Sequence, residues 1–471
     1  MESFQNFFKG KKVTVMGLGL LGRGIGDAAF IAEAGAAEVI VTDRKPAADL
    51  VESVSQLKQY ENISFVLGEH RLEDFEGRDL VLVAAGVPLN SEYVKHAWES
   101  GARVVQSAAL FAQLSDIPVI GVTGTRGKST VTHMIHHVLS QVTDGTVLLG
   151  GNVRGVSNLQ LLKQVEEDSI AVMELDSWQL QGFGWAQCSP HIAVFTNFME
   201  DHMNYYLPKS EQSGGVHSDI SERGRQESSA YQGAMDAYFA DKANIFKFQK
   251  ESDVLITTPA VFERAKTLSG VTLGQEVILA DESVIGDDVI LAMPGEHNRL
   301  NAALAYEALK ATSLTDEEIF AGLASFPGVP GRLEYLGEYR DIKIYNDNNA
   351  TVPQATVMGL RAVGNRDDKN VILIAGGAYK EVDPQVLIDE IPVYCKKVIL
   401  LPGTGTDRIK DSVTAEEVGS MKEAVEAGLA AGEPGDVLLF SPGFASFGLY
   451  KNEYERNDDF VGEIKSIQEN N

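Results

Sequence analysis

Residues 119–135 read VIGVTGTRGKSTVTHMI. A short β-branched run enters a Gly/Thr turn that ends in Gly-Lys-Ser-Thr, and helical spacing follows. Strand, glycine turn and helix in that order make a phosphate cradle. Backbone N–H groups from Gly124 through Thr125, Arg126 and Gly127 to Lys128 converge at a helix N-terminus. Lys128 would meet the β/γ oxygens of ATP, and Ser129 or Thr130 would reach Mg²⁺. Val122 stands where the strict GxxxxGK[ST] pattern has its first glycine. A glycine-rich helix cap without a ligand is the plainer alternative.

A second turn lies upstream, in VTVMGLGLLGRGIG (residues 13–26). Gly17, Gly19 and Gly22 form GxGxxG between a strand and a helical segment, and Asp43 closes the next strand in VTDRK. This is a dinucleotide-type fingerprint: the glycines let backbone amides approach a diphosphate, and the acidic residue accepts hydrogen bonds from the far end of the ligand. It does not distinguish NAD from a UDP-sugar, and a bare strand–helix turn is the simpler reading. The two turns together exclude a simple dehydrogenase, which has no need of a Gly-Lys-Ser turn. An ordinary P-loop ATPase has no need of a diphosphate domain ahead of it.

At 471 residues the chain exceeds one ordinary core, and about three domains of roughly 150 residues are expected. Apolar runs alternate with helical patterns, which predicts an α/β chain of parallel sheets covered by helices. Strands are expected at 13–16, 39–42, 80–84, 119–122, 171–174, 192–196, 371–375, 398–401 and 437–440. Punctuation at 115–118 and in FPGVPGR (326–332) divides the chain into 1–115, 116–329 and 330–471. The stretch 207–233 is polar and reads as a loop insert. A net charge of −27 argues against a nucleic-acid surface. Only two cysteines occur, with no CxxC pair, so neither a disulfide framework nor a structural zinc site is expected. The first residues, MESFQNFFKGKK, lack a signal-peptide core, and no apolar run is long enough to span a bilayer. A cytoplasmic chain without membrane insertion is expected.

Taken in order, the motifs resemble the Mur ligase family over nearly the whole chain. TGTRGKST (123–130) resembles its ATP turn, GNVRG (151–155) its Gly-Asn segment, MELDSWQL (173–180) its strand-end carboxylate and TNFMEDHMNYY (196–206) its Asn…Asp-His motif. DKANIF (241–246), GEHNRLNA (295–302) and PGRLEYLG (330–337) are similar to its lysine segment, adenine-side motif and third-domain entry. NDNNAT (346–351), IAGGAYK (374–380) and the 438–460 segment complete the series. The GLGxxG turn with VTDR resembles the branch that adds D-glutamate.

The resemblance implies a Rossmann-like N-terminal domain, a central P-loop-type ATPase domain and a Rossmann-like C-terminal domain that closes by a hinge around 326–332. It implies ATP activation of a carboxylate to an acyl phosphate, then attack by an amine. Glu174, His202 and Ser129 would lie on the metal side with two Mg²⁺. Lys242 would carry a CO₂-derived carbamate and join the metal ligands. Asn298 and Asn301 would face the adenine, Arg332 a phosphate and Asp347 the ribose. Gly17 and the Gly19, Leu20 and Leu21 amides would meet the diphosphate of UDP-N-acetylmuramoyl-L-alanine, with Asn152 extending to it and Asp43 and Arg44 near the uracil. Thr351, Lys380 and Ser446 would hold the D-glutamate carboxylates. A monomer is expected.

Three departures stand out. NDNNAT has Asn349 where the family's NDSKAT has lysine. DHMNYY has Asn204 and Tyr205 where DHxDRY is usual. The 207–233 insert lengthens the interval from His202 to Lys242. The amino acid therefore stays open, L-glutamate included. Two rivals stand beside this reading: a folylpolyglutamate-like ligase, which has no need of the first domain, and a non-catalytic nucleotide-binding module.

Overall fold

The computed structural model describes residues 4–19, 22–207, 229–268, 271–286, 289–291, 293, 295–380 and 382–469. Of the expected polar insert, residues 208–228 fall outside this description, as do Leu20 and Leu21. The chain forms two compact units, Met1–Val284 with Ala303–Ile319, and Ile285–Ala302 with Phe320–Asn471.

The first unit holds two sheets. β1 (Lys12–Met16), β2 (Glu38–Asp43), β3 (Ile63–Leu67), β4 (Leu80–Val83) and β5 (Arg103–Val105) are ordered β3-β2-β1-β4-β5, and every pair is parallel. The order reverses beside β1, so the crevice beyond its C-terminal end lies at the Gly17–Gly22 turn. The second sheet comprises β6 (Val119–Thr123), β7 (Val147–Gly151), β8 (Ile170–Glu174), β9 (Ile192–Phe195), β10 (Val254–Thr257) and β11 (Glu276–Leu279). It is ordered β11-β10-β9-β6-β8-β7, again all parallel.

One apolar core runs through both sheets. Val13, Val15, Val39 and Val41 of the first share it with Val119, Ala171 and Ala193 of the second. Helix Arg23–Glu33 forms the joint. Asp27 accepts from Ser157 Oγ (2.6 Å) and Leu159 N–H (3.1 Å), and Gln160 Nε2 donates to Gly26 O at 3.0 Å. A Cβ on Gly26 would lie 2.5 Å from that of Ser157, so only glycine permits this approach. Burial raises the Asp27 pKa, and both hydrogen bonds oppose the rise.

The second unit holds β12 (Glu334–Tyr339), β13 (Ile342–Asn346), β14 (Val371–Gly376), β15 (Cys395–Leu401), β16 (Glu416–Glu417) and β17 (Val437–Phe440), ordered β12-β13-β17-β14-β15-β16. Alternate residues feed opposite faces: Ile372 and Ile374 enter one core, Val371 and Leu373 the other. A sheet buried on both faces reads as a continuous apolar run, which is why β14 and β17 were legible. β12 departs from the expected parallel pattern by pairing antiparallel with β13. Arg340 and Asp341, at φ 51° and 61°, make the tight turn between them. Such a turn needs two left-handed residues, usually glycine or asparagine, so Arg-Asp gave no sequence signal.

Candidate active site

The ATP turn closes β6. Helix Lys128–Val142 begins at Gly127 with φ 81° and no side-chain cap, so its first-turn amides keep their capacity for an anion. The remainder of the turn is laced to the segment after β9. Thr125 N–H donates to Asn197 O at 2.9 Å, and Arg126 N–H to Asn197 Oδ1 at 2.8 Å. Thr196 Oγ1 and Asn197 Nδ2 both donate to Arg126 O, at 2.5 and 3.1 Å. The expected Thr125 and Arg126 amides are thus committed to the fold, and Asn197 is a positioning residue that the motif reading quoted without a role. Lys128 Nζ donates to Gly124 O and Thr125 O, each at 3.1 Å. Ser129 and Thr130 are buried at the start of the helix.

Lys242 comes to the same turn from helix Ser229–Ala243. It is buried, donates from Nζ to Gly124 O at 2.7 Å, and lies 5.0 Å from the Tyr238 ring centre. Burial, then the Lys128 charge, push its pKa well below the lysine range, while Asp176, Asp201 and Glu174 oppose the shift. Glu174 ends β8 and is buried. Asp176, which carries no role in the motif reading, caps helix Ser177–Ala186 through Gln179 N–H at 2.8 Å. Burial raises its pKa, with the Gln179 bond, Lys242 and Lys128 pulling the other way.

His202 adopts φ 58° just before the short helix Met203–Tyr206. Its ring lies 4.8 Å from Trp178, its backbone N–H donates to Asp201 Oδ1 at 2.9 Å, and its pKa is lowered chiefly by burial. Tyr206 OH and Gln181 Nε2 both donate to Asp241 Oδ2, at 2.8 and 2.6 Å. This network ties the His202 segment to the helix of Lys242. Tyr205, one of the departures, packs 5.9 Å from Trp178.

A nucleotide and a hard cation fit this donor set. The uncapped helix start suits phosphate. Among the described residues no group of three His, Cys, Asp or Glu side chains is placed to hold a metal, so a cation here would draw on phosphate oxygens and water, the habit of Mg²⁺.

The other glycine turn is arranged differently from expectation. Asp43 Oδ2 accepts from Leu18 N–H (2.9 Å) and Gly19 N–H (3.1 Å), so Asp43 folds back onto its own turn. Gly17 N–H donates to Thr42 O at 2.8 Å. Arg44 is exposed, with its guanidinium 5.9 Å from the Tyr93 ring centre. Asn152 N–H donates to Glu174 O at 2.7 Å, and its Oδ1 accepts from Arg23 Nη1 at 2.6 Å. Sequence reasoning gave Arg23 no role.

In the second unit, Asn301 Nδ2 donates to Asn298 Oδ1 at 3.0 Å, and both are buried. Asp347 accepts from Ser441 Oγ (2.8 Å) and Leu333 N–H (3.2 Å). Burial lifts its pKa to about 7 against these bonds and the nearby Arg332. Arg332 is exposed. Lys380 Nζ donates to Thr351 Oγ1 at 3.0 Å, and the Ala378–Ala445 bridge brings Ser446 alongside. Thr351 does not cap the next helix; Val352 holds that position before Pro353. Asn349 N–H donates to Gly331 O at 2.9 Å.

A P-loop-type sheet with a buried lysine and a strand-end carboxylate, built onto a dinucleotide-type sheet, is the arrangement of a nucleotide-dependent enzyme. Residues 122–309 match the Mur ligase middle domain. A relative from Roseiflexus sp. (strain RS-1), named UDP-N-acetylmuramoylalanine–D-glutamate ligase, is 32% identical over 97% of this chain and 99% of its own. One of the same name from Geobacillus kaustophilus (strain HTA426) is 33% identical, covering 98% and 99%. The crystal structure of UDP-N-acetylmuramate–alanine ligase MurC from Thermotoga maritima shares the fold, with a TM-score of 0.57 at 16% identity over 97% of this chain and 99% of that one. The chain belongs to the Mur ligase family. No described helix is long and apolar enough to cross a membrane.

Proposed function

We propose that the chain is an ATP-dependent ligase that adds D-glutamate to UDP-N-acetylmuramoyl-L-alanine in peptidoglycan precursor synthesis. The observation that carries this reading is the meeting of Lys242 with the Gly124 carbonyl of the phosphate turn, in reach of the charges of Lys128, Glu174, Asp176 and Asp201. A binding module has no use for a buried lysine held there. The names of the full-length relatives support the substrate and the amino acid. Residues 1–115, 116–329 and 330–471 would bind UDP-substrate, ATP and amino acid respectively. The charge of −27 supports a chain without a nucleic-acid partner. We assign it to the cytoplasm as a monomer.

In the reaction a substrate carboxylate oxygen attacks the γ-phosphorus, the bond to ADP breaks and an acyl phosphate forms. The amine of glutamate then attacks the acyl carbon, phosphate leaves and a proton is released. Mg²⁺, when bound, would neutralise charge on the phosphoryl oxygens. Lys128 and the helix start hold the phosphates; Glu174 and Ser129 face the cation side, and His202 borders it. Lys242, depressed in pKa by burial, keeps a neutral amine fraction that adds to CO₂ with loss of a proton, turning a cation into an anionic ligand. Thr351, Lys380 and Ser446 supply one cation and two hydroxyls to the incoming dicarboxylate.

Phosphate release with ATP, Mg²⁺ and the UDP-substrate is expected with D-glutamate and not with L-glutamate or none. Lys242→Ala should lose this activity and regain part of it with added acetate. Release with another amino acid would overturn the substrate, and silence with all of them the ligase reading.

A further inference from the structure

We propose that a cavity along the outer edge of β5 binds a planar aromatic carboxylate that carries a neutral acceptor at its far end.

β5 is the last strand of the first sheet. Arg103 N–H donates to Asp79 O on the β4 side at 3.2 Å, so the Val104 N–H and C=O turn to the free edge. A cavity of about 360 Å³ lies there, and Ala102 to Gln106 line it in unbroken succession. Side chains alternate between the faces of a strand, so consecutive residues share one space only along its edge. The opposite wall comes from helices Ser107–Ser115 and Ser177–Ala186. The volume is that of a small-ligand site. The lining includes no residue of the phosphate turn or of the glycine turn after β1.

The lining side chains set the chemistry of the ligand. Two of the chain's three tryptophans meet here. The Trp98 and Trp185 ring centres lie 4.7 Å apart at 76°, both line the cavity, and Trp98 is 43% exposed. Indoles at the mouth of a cavity suit a planar aromatic ring.

Arg103 has no carboxylate partner among the described residues. Its Nη2 donates to Gln113 Oε1 at 2.8 Å, and Gln113 Nε2 donates to Ala186 O at 3.2 Å. Its guanidinium also lies 5.4 Å from the Phe7 ring centre. Neutral groups therefore hold the fork in place and leave its charge unmatched, which suits a carboxylate.

Gln106 lies at the other end of β5 and is 2% exposed. Its Oε1 accepts from Gly182 N–H at 3.1 Å, while its buried Nε2 has no hydrogen-bond partner. Buried donors are nearly always satisfied, and an acceptor oxygen is what this one lacks. Arg103 and Gln106 bracket the strand, so the ligand carries its carboxylate and its acceptor at opposite ends of a flat body.

The test is calorimetry on the full chain with three probes. 4-Acetylbenzoate has the ring, the carboxylate and the acceptor; acetophenone lacks the carboxylate, and benzoate lacks the acceptor. 4-Acetylbenzoate should bind saturably at one site. Acetophenone should bind roughly 10- to 100-fold more weakly, the range of a charge-assisted hydrogen bond, and benzoate roughly 2- to 10-fold, that of a neutral one. Arg103→Ala, a change at an exposed side chain, should weaken 4-acetylbenzoate to the level of acetophenone and leave acetophenone unchanged. Trp98→Ala should weaken all three, and saturating ATP and UDP should displace none. The proposal is overturned if 4-acetylbenzoate shows no saturable binding, if the three probes bind alike, or if Arg103→Ala binds as wild type does. Displacement by ATP or UDP also overturns it, by placing the probe in a nucleotide site.

Discussion

Gly124→Ala places one methyl group where the phosphate turn has no room. Its Cβ would sit 2.0 Å from Thr196 Oγ1 and 3.1 Å from the backbone N and O of Asn197. The φ of +145° is one that side chains rarely adopt, at a cost of about 1–3 kcal/mol. Overpacking adds another 1–3 kcal/mol or so. Thr196 cannot simply turn away, because its hydroxyl donates to Arg126 O at 2.5 Å, a bond worth about 1 kcal/mol. The expected total is roughly 2–6 kcal/mol. It falls on urea stability if the turn holds its shape, or on ATP affinity if the turn moves. Both are therefore measured. Adding Thr196→Ala removes the nearest atom and should return about half of the loss, the steric part and not the backbone part. The reasoning is refuted if Gly124→Ala stays within about 0.5 kcal/mol of wild type, the range of an ordinary surface change, and also keeps its ATP affinity.

Asp347 should make the second unit sensitive to pH. Its folded pKa of about 7 lies above the 3.8 of a free aspartate, so the folded chain binds the extra proton between those values. Stability should fall as pH rises through that window, by up to about 1.4 kcal/mol per unit, and then level off. Urea midpoints from pH 4 to 8 should show this slope in the wild type and lose it in Asp347→Asn. Arg456 is buried, with donors to Asn348 Oδ1 (2.8 Å), Asn348 O (2.9 Å) and Phe444 O (3.1 Å). Arg456→Ala should cost about 3 kcal/mol or more by orphaning those acceptors, and a midpoint equal to wild type would remove Arg456 from the framework of this unit.

The features legible in the sequence were those fixed by local chemistry. The expected strands all lie on observed ones, with ends within a residue except at β15, which begins three residues earlier at Cys395, because doubly buried strands need unbroken apolar runs. Eight strands, β3, β5, β7, β10, β11, β12, β13 and β16, were not among the expected spans; β3 is half-exposed along its length, and β16 is only two residues long. Both glycine turns carry positive φ values that favour glycine. Where their donors go was not legible. Asp43 reads as a ligand acceptor from spacing, yet its carboxylate faces Leu18 and Gly19. Asn197 and Arg23 went unassigned because their partners lie 71 and 129 residues away, and no periodicity reports such pairs.

The joint made by Asp27, Gly26 and Ser157 bears on how this protein can be recombined. A methyl group on one side, or a missing hydroxyl on the other, disrupts a seam formed by segments more than a hundred residues apart in the chain. A chimera that takes its first sheet from one parent and its second from another must carry residues 26, 27 and 157 as a matched set. Crossover points chosen from sequence punctuation alone would cut between them.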